Sequence, residues 1–205
     1  MKIDATISSI VDLLHLQGGY SFRGSIEGAV DGNALAVQMK DVDPEHGVNW
    51  AGTLRTNLST HRLPAWLKEE DILLVSKGTR FYAVCLDRPP HPAVCSPHFF
   101  HLQVKSTATL MPAFVAWQIN QAPFQRQLLQ AAEGSSQLSI RRPLLEALTL
   151  SIPSLQIQQS IVALAELARQ ERQTLKQLIR NREQQINALA DGLFPTANLH
   201  LQENP

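Results

Sequence analysis

Apolar residues recur along this chain with two different rhythms, and the change falls near Pro153. From Leu155 through Asp191 there is no glycine, and no proline lies between Pro153 and Pro195. Ile157, Ile161, Leu164, Ala165, Ala168, Leu175, Leu178, Ile179, Ile186, Leu189 and Leu193 follow one another at spacings of three and four, interrupted by the polar stretch Arg169–Thr174 and by Arg182. That period lays one apolar stripe along one helix. Ordinary globular helices run roughly 8–20 residues, so a helix well beyond that length suggests a coiled coil or a helical repeat. At about 1.5 Å per residue it extends on the order of 55 Å, longer than a domain of this size buries alone. The stripe predicts a helical arm that needs a partner, with packing strongest near its ends.

The first three quarters of the chain read as a mixture of short strands and helices. Ala5–Leu16 is ambiguous between the two, and Gly18-Gly19 ends it before a loop, Tyr20–Gly24, that carries two aromatics and a cation. Ala34–Met39 predicts a strand, and Lys40–Pro44 a turn. Residues 45–62 have no sustained period and read as a long surface loop. Ile72–Ser76 and Phe81–Leu86 predict a hairpin about the turn Lys77–Arg80. Pro89–Pro92 reads as a loop before a strand over Phe99–Val104. Pro112 opens a helix, Phe124–Ala132 forms a second that ends at Gly134, and Ser135–Ser139 is a polar loop. Pro143 opens a short helix, and Leu148–Ile152 is a last strand. The predicted architecture is α+β: a globular head over 1–153, a long helical arm over 154–194, and a flexible tail over 195–205.

Composition narrows the function classes. The chain has 205 residues, of which 44% are apolar and 18% charged, with 18 basic and 18 acidic residues. Residues 1–153 hold 13 of each sign and residues 154–205 hold five of each, so neither part is basic. A protein that grips phosphates unaided shows a strong basic excess, so any contact with DNA must come from local clusters or from a partner's charge. No apolar run approaches the ~18 residues of a membrane-spanning helix. The N-terminus does not read as a signal peptide, and two cysteines are too few for a disulfide framework. A cytoplasmic location is expected. Phosphate-loop, dinucleotide-fold, zinc-protease and serine-hydrolase signatures are missing, which lowers the odds of a self-sufficient catalyst.

The candidate chemistry lies at turns. Arg23, Lys40, Lys77, Arg80, Arg141 and Arg142 sit in loops or at the mouths of strands, and Ser76, Thr79, Ser135, Ser136 and Gln137 add hydrogen-bonding groups beside them. Such residues suit contacts to phosphates and base edges. Each alone reads slightly better as a solvated surface group. The Ser76–Arg80 turn is the least bland, because a hairpin tip with two cations is shaped to enter a groove. His91, Cys95, His98 and His101 form a run that invites a zinc reading. Pro92 and Pro97 disturb its geometry, and an ordinary buried thiol at Cys95 is favoured.

Several of these segments resemble the specificity subunit of type I restriction–modification systems. The resemblance is carried by Gly19–Gly24, Val37–Asp41, Asp71–Leu74, Ser96–Phe100, Ala131–Ser136, and the junction Ile152-Pro153-Ser154-Leu155 followed by Gln158–Val162. The junction is the most specific, and the likeness spans nearly the whole chain. It implies a non-catalytic DNA reader that brings a methyltransferase subunit, and in many systems a restriction subunit, to a bipartite site. Subunits of that family carry two recognition domains and two helical regions packed antiparallel; this sequence has one of each. The resemblance therefore implies one target recognition domain and one helical spacer, working as a homodimer or beside another specificity chain. A two-fold pair of arms would form an antiparallel coiled coil and read an interrupted palindrome. The partner-helix positions are Ile157, Ile161, Leu164, Ala168, Leu175, Leu178, Ile179, Ile186 and Leu189. No cofactor is expected on this chain, since S-adenosylmethionine belongs to the methyltransferase. The competing reading is a structural or regulatory subunit that docks on a methyltransferase through its helix without reading DNA.

Overall fold

Ile72–Val75 forms a strand with every side chain buried, and the head is layered about it. Ile72 and Leu74 point into one hydrophobic cluster, while Leu73 and Val75 point into a second. Because side chains alternate across a strand, a strand covered on both faces must be apolar at every position, which explains its unbroken run.

The computed structural model describes residues 4–58, 63–134 and 137–193. In chain order the first elements are β1 (Thr6–Ser9), a single helical turn α1 (Ile10–Leu13), β2 (Leu14–Gly18), β3 (Ala34–Val37), β4 (Val42–Asp43), β5 (Gly47–Val48) and β6 (Leu54–Thr56). Then come β7 (Ile72–Val75), β8 (Lys77–Gly78), β9 (Ala83–Cys85), β10 (Ala93–Cys95) and β11 (Phe99–Val104). The remainder is α2 (Pro112–Ile119), α3 (Ala122–Ala131), β12 (Leu138–Ser139), α4 (Arg142–Ala147), β13 (Thr149–Ile152) and α5 (Leu155–Leu193). This is a mixed α+β head followed by one long C-terminal helix.

An antiparallel sheet of order β2-β11-β7-β9 faces a smaller sheet of order β10-β3-β6. The side chains of Leu35, Val37, Leu73, Val75, Val84 and Phe99 fill the layer between them. The other face of the larger sheet is covered by α2, α3 and α4, through Phe114, Val115, Ile119, Phe124, Leu128 and Leu145. Asn120, at the end of α2, ties that helix to β9: the Ala83 N–H donates to its Oδ1 at 2.9 Å, and its Nδ2 donates to the Ala83 carbonyl at 2.7 Å. Strand β1 returns to pair antiparallel with β13, joining the beginning of the head to its last strand.

Several local expectations are corrected. Residues 45–62 are not one long loop: β5, a 3₁₀ turn over Trp50–Gly52 and β6 occupy part of that span, and residues 59–62 lie outside the described ones. Strand β6 pairs with β3, and three residues, Leu54-Arg55-Thr56, are too few to show a period. Strand β10 went unforeseen because Ala93-Val94-Cys95 is short and buried throughout, and only its parallel pairing with β3 defines it. Helix α3 ends at Ala131, with Ala132 already extended, rather than at Gly134. Glu133 and Ser139 exchange backbone hydrogen bonds of 2.8 and 2.9 Å there, and this bridge draws the chain out of the helix. The ambiguous first segment is both strand and helical turn.

The chain divides into two compact units, Met1–Ala163 and Leu164–Pro205. Helix α5 begins in the first. Gln158 is fully buried: its Oε1 accepts from the Met111 N–H at 2.9 Å, and its Nε2 donates to the carbonyls of Thr109 (2.9 Å) and Pro153 (2.8 Å). Ile161 and Val162 pack on the main cluster. Ile161 is thus a head residue rather than part of a free stripe, and Ile157 is half-buried. In the second unit Leu164, Leu167, Leu175, Leu178, Ile179, Ile186 and Leu189 are all more than half exposed, whereas Ala168 is half-buried. Among the described residues no helix is long and apolar enough to cross a membrane.

Candidate nucleic-acid interface

The loop after β2 starts where the backbone is too close to its neighbour for any side chain. A Cβ on Gly19 would lie 1.9 Å from the Ser96 carbonyl oxygen, so only glycine fits. The Gly19 N–H donates to the Phe99 carbonyl and the Tyr20 N–H to that of Cys95, at 3.1 and 2.7 Å. Beyond this tether Tyr20 and Phe22 meet edge to face with centroids 4.9 Å apart. Arg23 follows, exposed, before the turn at Gly24. A cleft of about 690 Å³ lies along this loop, lined by Tyr20, Phe22, Arg23 and Glu27 among others.

Lys40 is exposed on a 3₁₀ turn, Met39–Asp41, whose geometry the buried Asp41 holds. The Gln38 N–H donates to Asp41 Oδ2 at 2.9 Å, so the carboxylate caps its own turn. A second cleft, about 460 Å³, is lined by Phe22, Ser25, Met39, Lys40, Ser96 and His98 among others, and so lies between the Arg23 loop and the Lys40 turn.

The turn Lys77–Arg80 is not a free hairpin tip. Strand β7 pairs with β9 as expected, with Leu74 opposite Ala83. Lys77-Gly78, however, forms β8 and pairs with β12, so that Lys77 lies opposite Ser139 and Gly78 opposite Leu138. Gly78 has φ +155°, and a Cβ there would come within 3.2 Å of Met39 Cε, which places the Lys40 turn alongside. Lys77, Thr79 and Arg80 are exposed. The Arg80 guanidinium sits 5.4 Å from the centroid of the Tyr82 ring, whose hydroxyl donates to the Val42 carbonyl at 3.0 Å. Burial raises the Tyr82 hydroxyl above its ordinary pKa, outweighing the opposing pull of Arg80 and helped by the charge of Asp43.

Ser76 is a different matter. It is 5% exposed, its N–H donates to the His98 carbonyl at 2.8 Å, and its carbonyl accepts from Ile140 at 3.1 Å. It joins three segments from within and does not present a hydroxyl to a ligand. Gln137 is exposed, as is Arg141, which pairs with Glu133. Arg142 pairs with Glu146 at 2.7 Å, within α4. Ser135 and Ser136 lie outside the described residues. The β8–β12 pairing thus brings the 77–80 cations to the same place as Gln137, a juxtaposition across about sixty residues of chain. Lys40 adjoins them through Met39, and Phe22 and Gly24, the neighbours of Arg23, line the second cleft with Lys40.

The histidine and cysteine run does not converge. Cys95 and His101 are buried while His91 and His98 are exposed, and no group of three or more metal-binding side chains comes together among the described residues. Burial, with a small contribution from Asp71, pushes the Cys95 thiol up to about 12. Burial and then the charges of Glu70, Asp87 and Asp71 do the same for Cys85. Thiols raised in this way are poor nucleophiles at neutral pH. The sequence reading passed over Ser96 and Met39 as site residues. Only the parallel β10–β3 pairing brings the first beside the loop, and nothing in local periodicity announces such a pairing.

The fold defined by this head and helix is similar to that of type I restriction–modification specificity subunits. The S subunit of such a system from M. genitalium superposes with a TM-score of 0.60 at 17% identity, covering 94% of this chain and 46% of that one. A chain from a structure of type I R-M complex assembly gives 0.66 at 16% identity, over 90% of this chain and 43% of the other. The HsdS subunit from Thermoanaerobacter tengcongensis gives 0.58 at 16%, over 85% and 39%. This chain therefore spans less than half the length of each of these three solved structures, and the likeness is one of fold. No family model and no curated protein matches the sequence.

Proposed function

We propose that this chain is a non-catalytic DNA-specificity subunit, in which the 1–153 head reads one half of a bipartite site and the 154–194 helix pairs with a second arm. The observation that supports the reading is the β8–β12 ribbon, which pairs Lys77-Gly78 with Leu138-Ser139 and so brings exposed Lys77, Thr79, Arg80 and Gln137 near one another, with Met39 beside Gly78. Cations held on paired strands and on a capped turn are preorganised, so phosphate contacts by Arg23, Lys40 and Lys77 position the duplex while Arg80 and Gln137 reach base edges. Arg141 is offset by Glu133 and contributes less.

The overall charge of zero supports a reader whose partner supplies much of the phosphate grip. A methyltransferase subunit fills that role and brings S-adenosylmethionine; a restriction subunit joins where the system has one. The exposed apolar positions Leu175, Leu178, Ile179, Ile186 and Leu189 support arm pairing, because a two-fold antiparallel copy would cover the same residues on both helices.

The test is co-expression of the Lys77→Ala/Arg80→Ala double variant with its methyltransferase, followed by methylome mapping. Site-specific methylation is lost while the complex still co-purifies. An unchanged methylation pattern would favour a regulatory subunit that docks through its helix without reading DNA.

A further inference from the structure

We propose that the cleft between the Arg23 loop and the Lys40 turn holds a nucleobase unstacked from its neighbours. This rests on the DNA-reading function above and names the part of the nucleic acid that the head takes in. The cleft has a volume of about 460 Å³, within the usual range of small-molecule sites. Three segments distant in sequence build it. The loop after β2 supplies Phe22 and Ile26, the 3₁₀ turn supplies Met39, and the β10–β11 turn supplies Ser96 and Pro97.

Its lining is apolar at Phe22, Ile26, Met39 and Pro97, and polar at a few points. Ser96 is 3% exposed, and its Oγ is buried with no hydrogen-bond partner among the described residues. Buried hydroxyls are almost always satisfied, so an unsatisfied one just beneath the wall of a cleft marks a position that a donor or acceptor could meet after a small side-chain adjustment. Gln38 and Lys40 line the same cleft, and the Gln38 amide can bond to a base edge. Among the described residues no acidic one lines it, whereas the neighbouring cleft across the loop includes Glu27. Arg23, between two residues that line the cleft, and Lys40 put positive charge beside it.

A base has an apolar face and a polar edge, and it arrives with phosphate on either side. A base stacked in a duplex shows only its edge, so entry by its face requires unstacking. Phe22 then replaces the lost stacking, Ser96 Oγ meets the edge, and Arg23 and Lys40 neutralise the flanking phosphates. An apolar side chain of a partner protein would satisfy Phe22 but would leave Ser96 and both cations unused.

The full-length protein is titrated, alone and with its methyltransferase, into a duplex carrying 2-aminopurine as a one-base bulge, and into the same duplex fully paired. A bulged base is already unstacked, so the bulged duplex binds about tenfold tighter and its 2-aminopurine emission changes on binding. Phe22→Ala and Ser25→Leu, the second filling the cleft from an exposed loop position, each bring the bulged duplex to the affinity of the paired one. Thermal melts matching the wild type show that both variants fold. Equal binding of the two duplexes with unchanged emission overturns the cleft and leaves the DNA-reading function standing. No binding of either duplex, even with the methyltransferase present, overturns both. Loss of the methyltransferase from Phe22→Ala with the bulge preference intact makes the cleft a protein contact instead, and also overturns the proposal.

Discussion

Asp71 Oδ2 and His101 Nε2 meet at 2.6 Å inside the head, with side chains 7% and 2% exposed. Asp71 immediately precedes the central strand β7, and His101 lies on its neighbour β11, opposite Leu73. The carboxylate also accepts from Gln103 Nε2 at 2.9 Å and from the Lys68 N–H at 2.8 Å. A carboxylate only accepts, so His101 Nε2 carries the shared hydrogen. Burial alone would raise the Asp71 pKa. The hydrogen bonds from His101 and Gln103, the charge of His101 and the Lys68 N–H outweigh it and hold the carboxyl below its ordinary 3.8.

This network predicts a stability loss of about 3 kcal/mol for Asp71→Ala, typical of removing hydrogen bonds to a buried charged group. It also predicts how the loss depends on pH. The folded carboxyl titrates below 3.8, so the unfolded chain takes up its proton first. The contribution is complete above about 3.8 and disappears as the pH falls through the lower folded value. In urea titrations the gap between wild type and variant narrows below that pH; a gap that stays constant in acid would falsify the assignment.

Gln158→Leu leaves the Met111 N–H and the Thr109 and Pro153 carbonyls without their partner. A loss of about 3 kcal/mol is expected in guanidinium denaturation, at roughly 1 kcal/mol per hydrogen bond. A loss much below 1 kcal/mol would mean that water replaces the amide.

Tyr82 gives Arg80 an aromatic face, and such contacts contribute about 0.5–1 kcal/mol at exposed sites. Tyr82→Leu is therefore expected to weaken site-specific binding by the assembled complex about threefold, while Tyr82→Phe keeps the face and most of the affinity. Fluorescence anisotropy with the mapped site distinguishes them. Equal losses from both would assign the effect to the Val42 hydrogen bond.

Charged replacements at Leu178 and Leu189, such as Leu178→Glu with Leu189→Glu, are expected to shift the protein toward monomer or toward aggregation. Light scattering reads this directly. An unchanged dimer would rule out arm pairing through those positions.

The arm was the most legible part of the chain, because an uninterrupted helix writes its period into every turn. The hairpin over 72–86 was also readable, since a strand buried on both faces is apolar at each position. Strands β6 and β10 were not, at three residues apiece. The cations read as loop residues, yet Lys77 lies in β8 and Arg142 in α4, and Ser76 is an interior joint rather than part of their surface.

Residue order alone settled where the long helix begins, that helices follow Pro112 and Pro143, and that the long helix carries an apolar stripe far beyond what ordinary domains cover. Those features depend on neighbours within a few residues. Tertiary structure decided the rest: that Lys77 lies opposite Ser139, that Ser96 backs onto Gly19, and that Ile161 belongs to the head. Each depends on strand pairing or packing between segments far apart in the chain, where the energy comes from closing contacts that no local window contains.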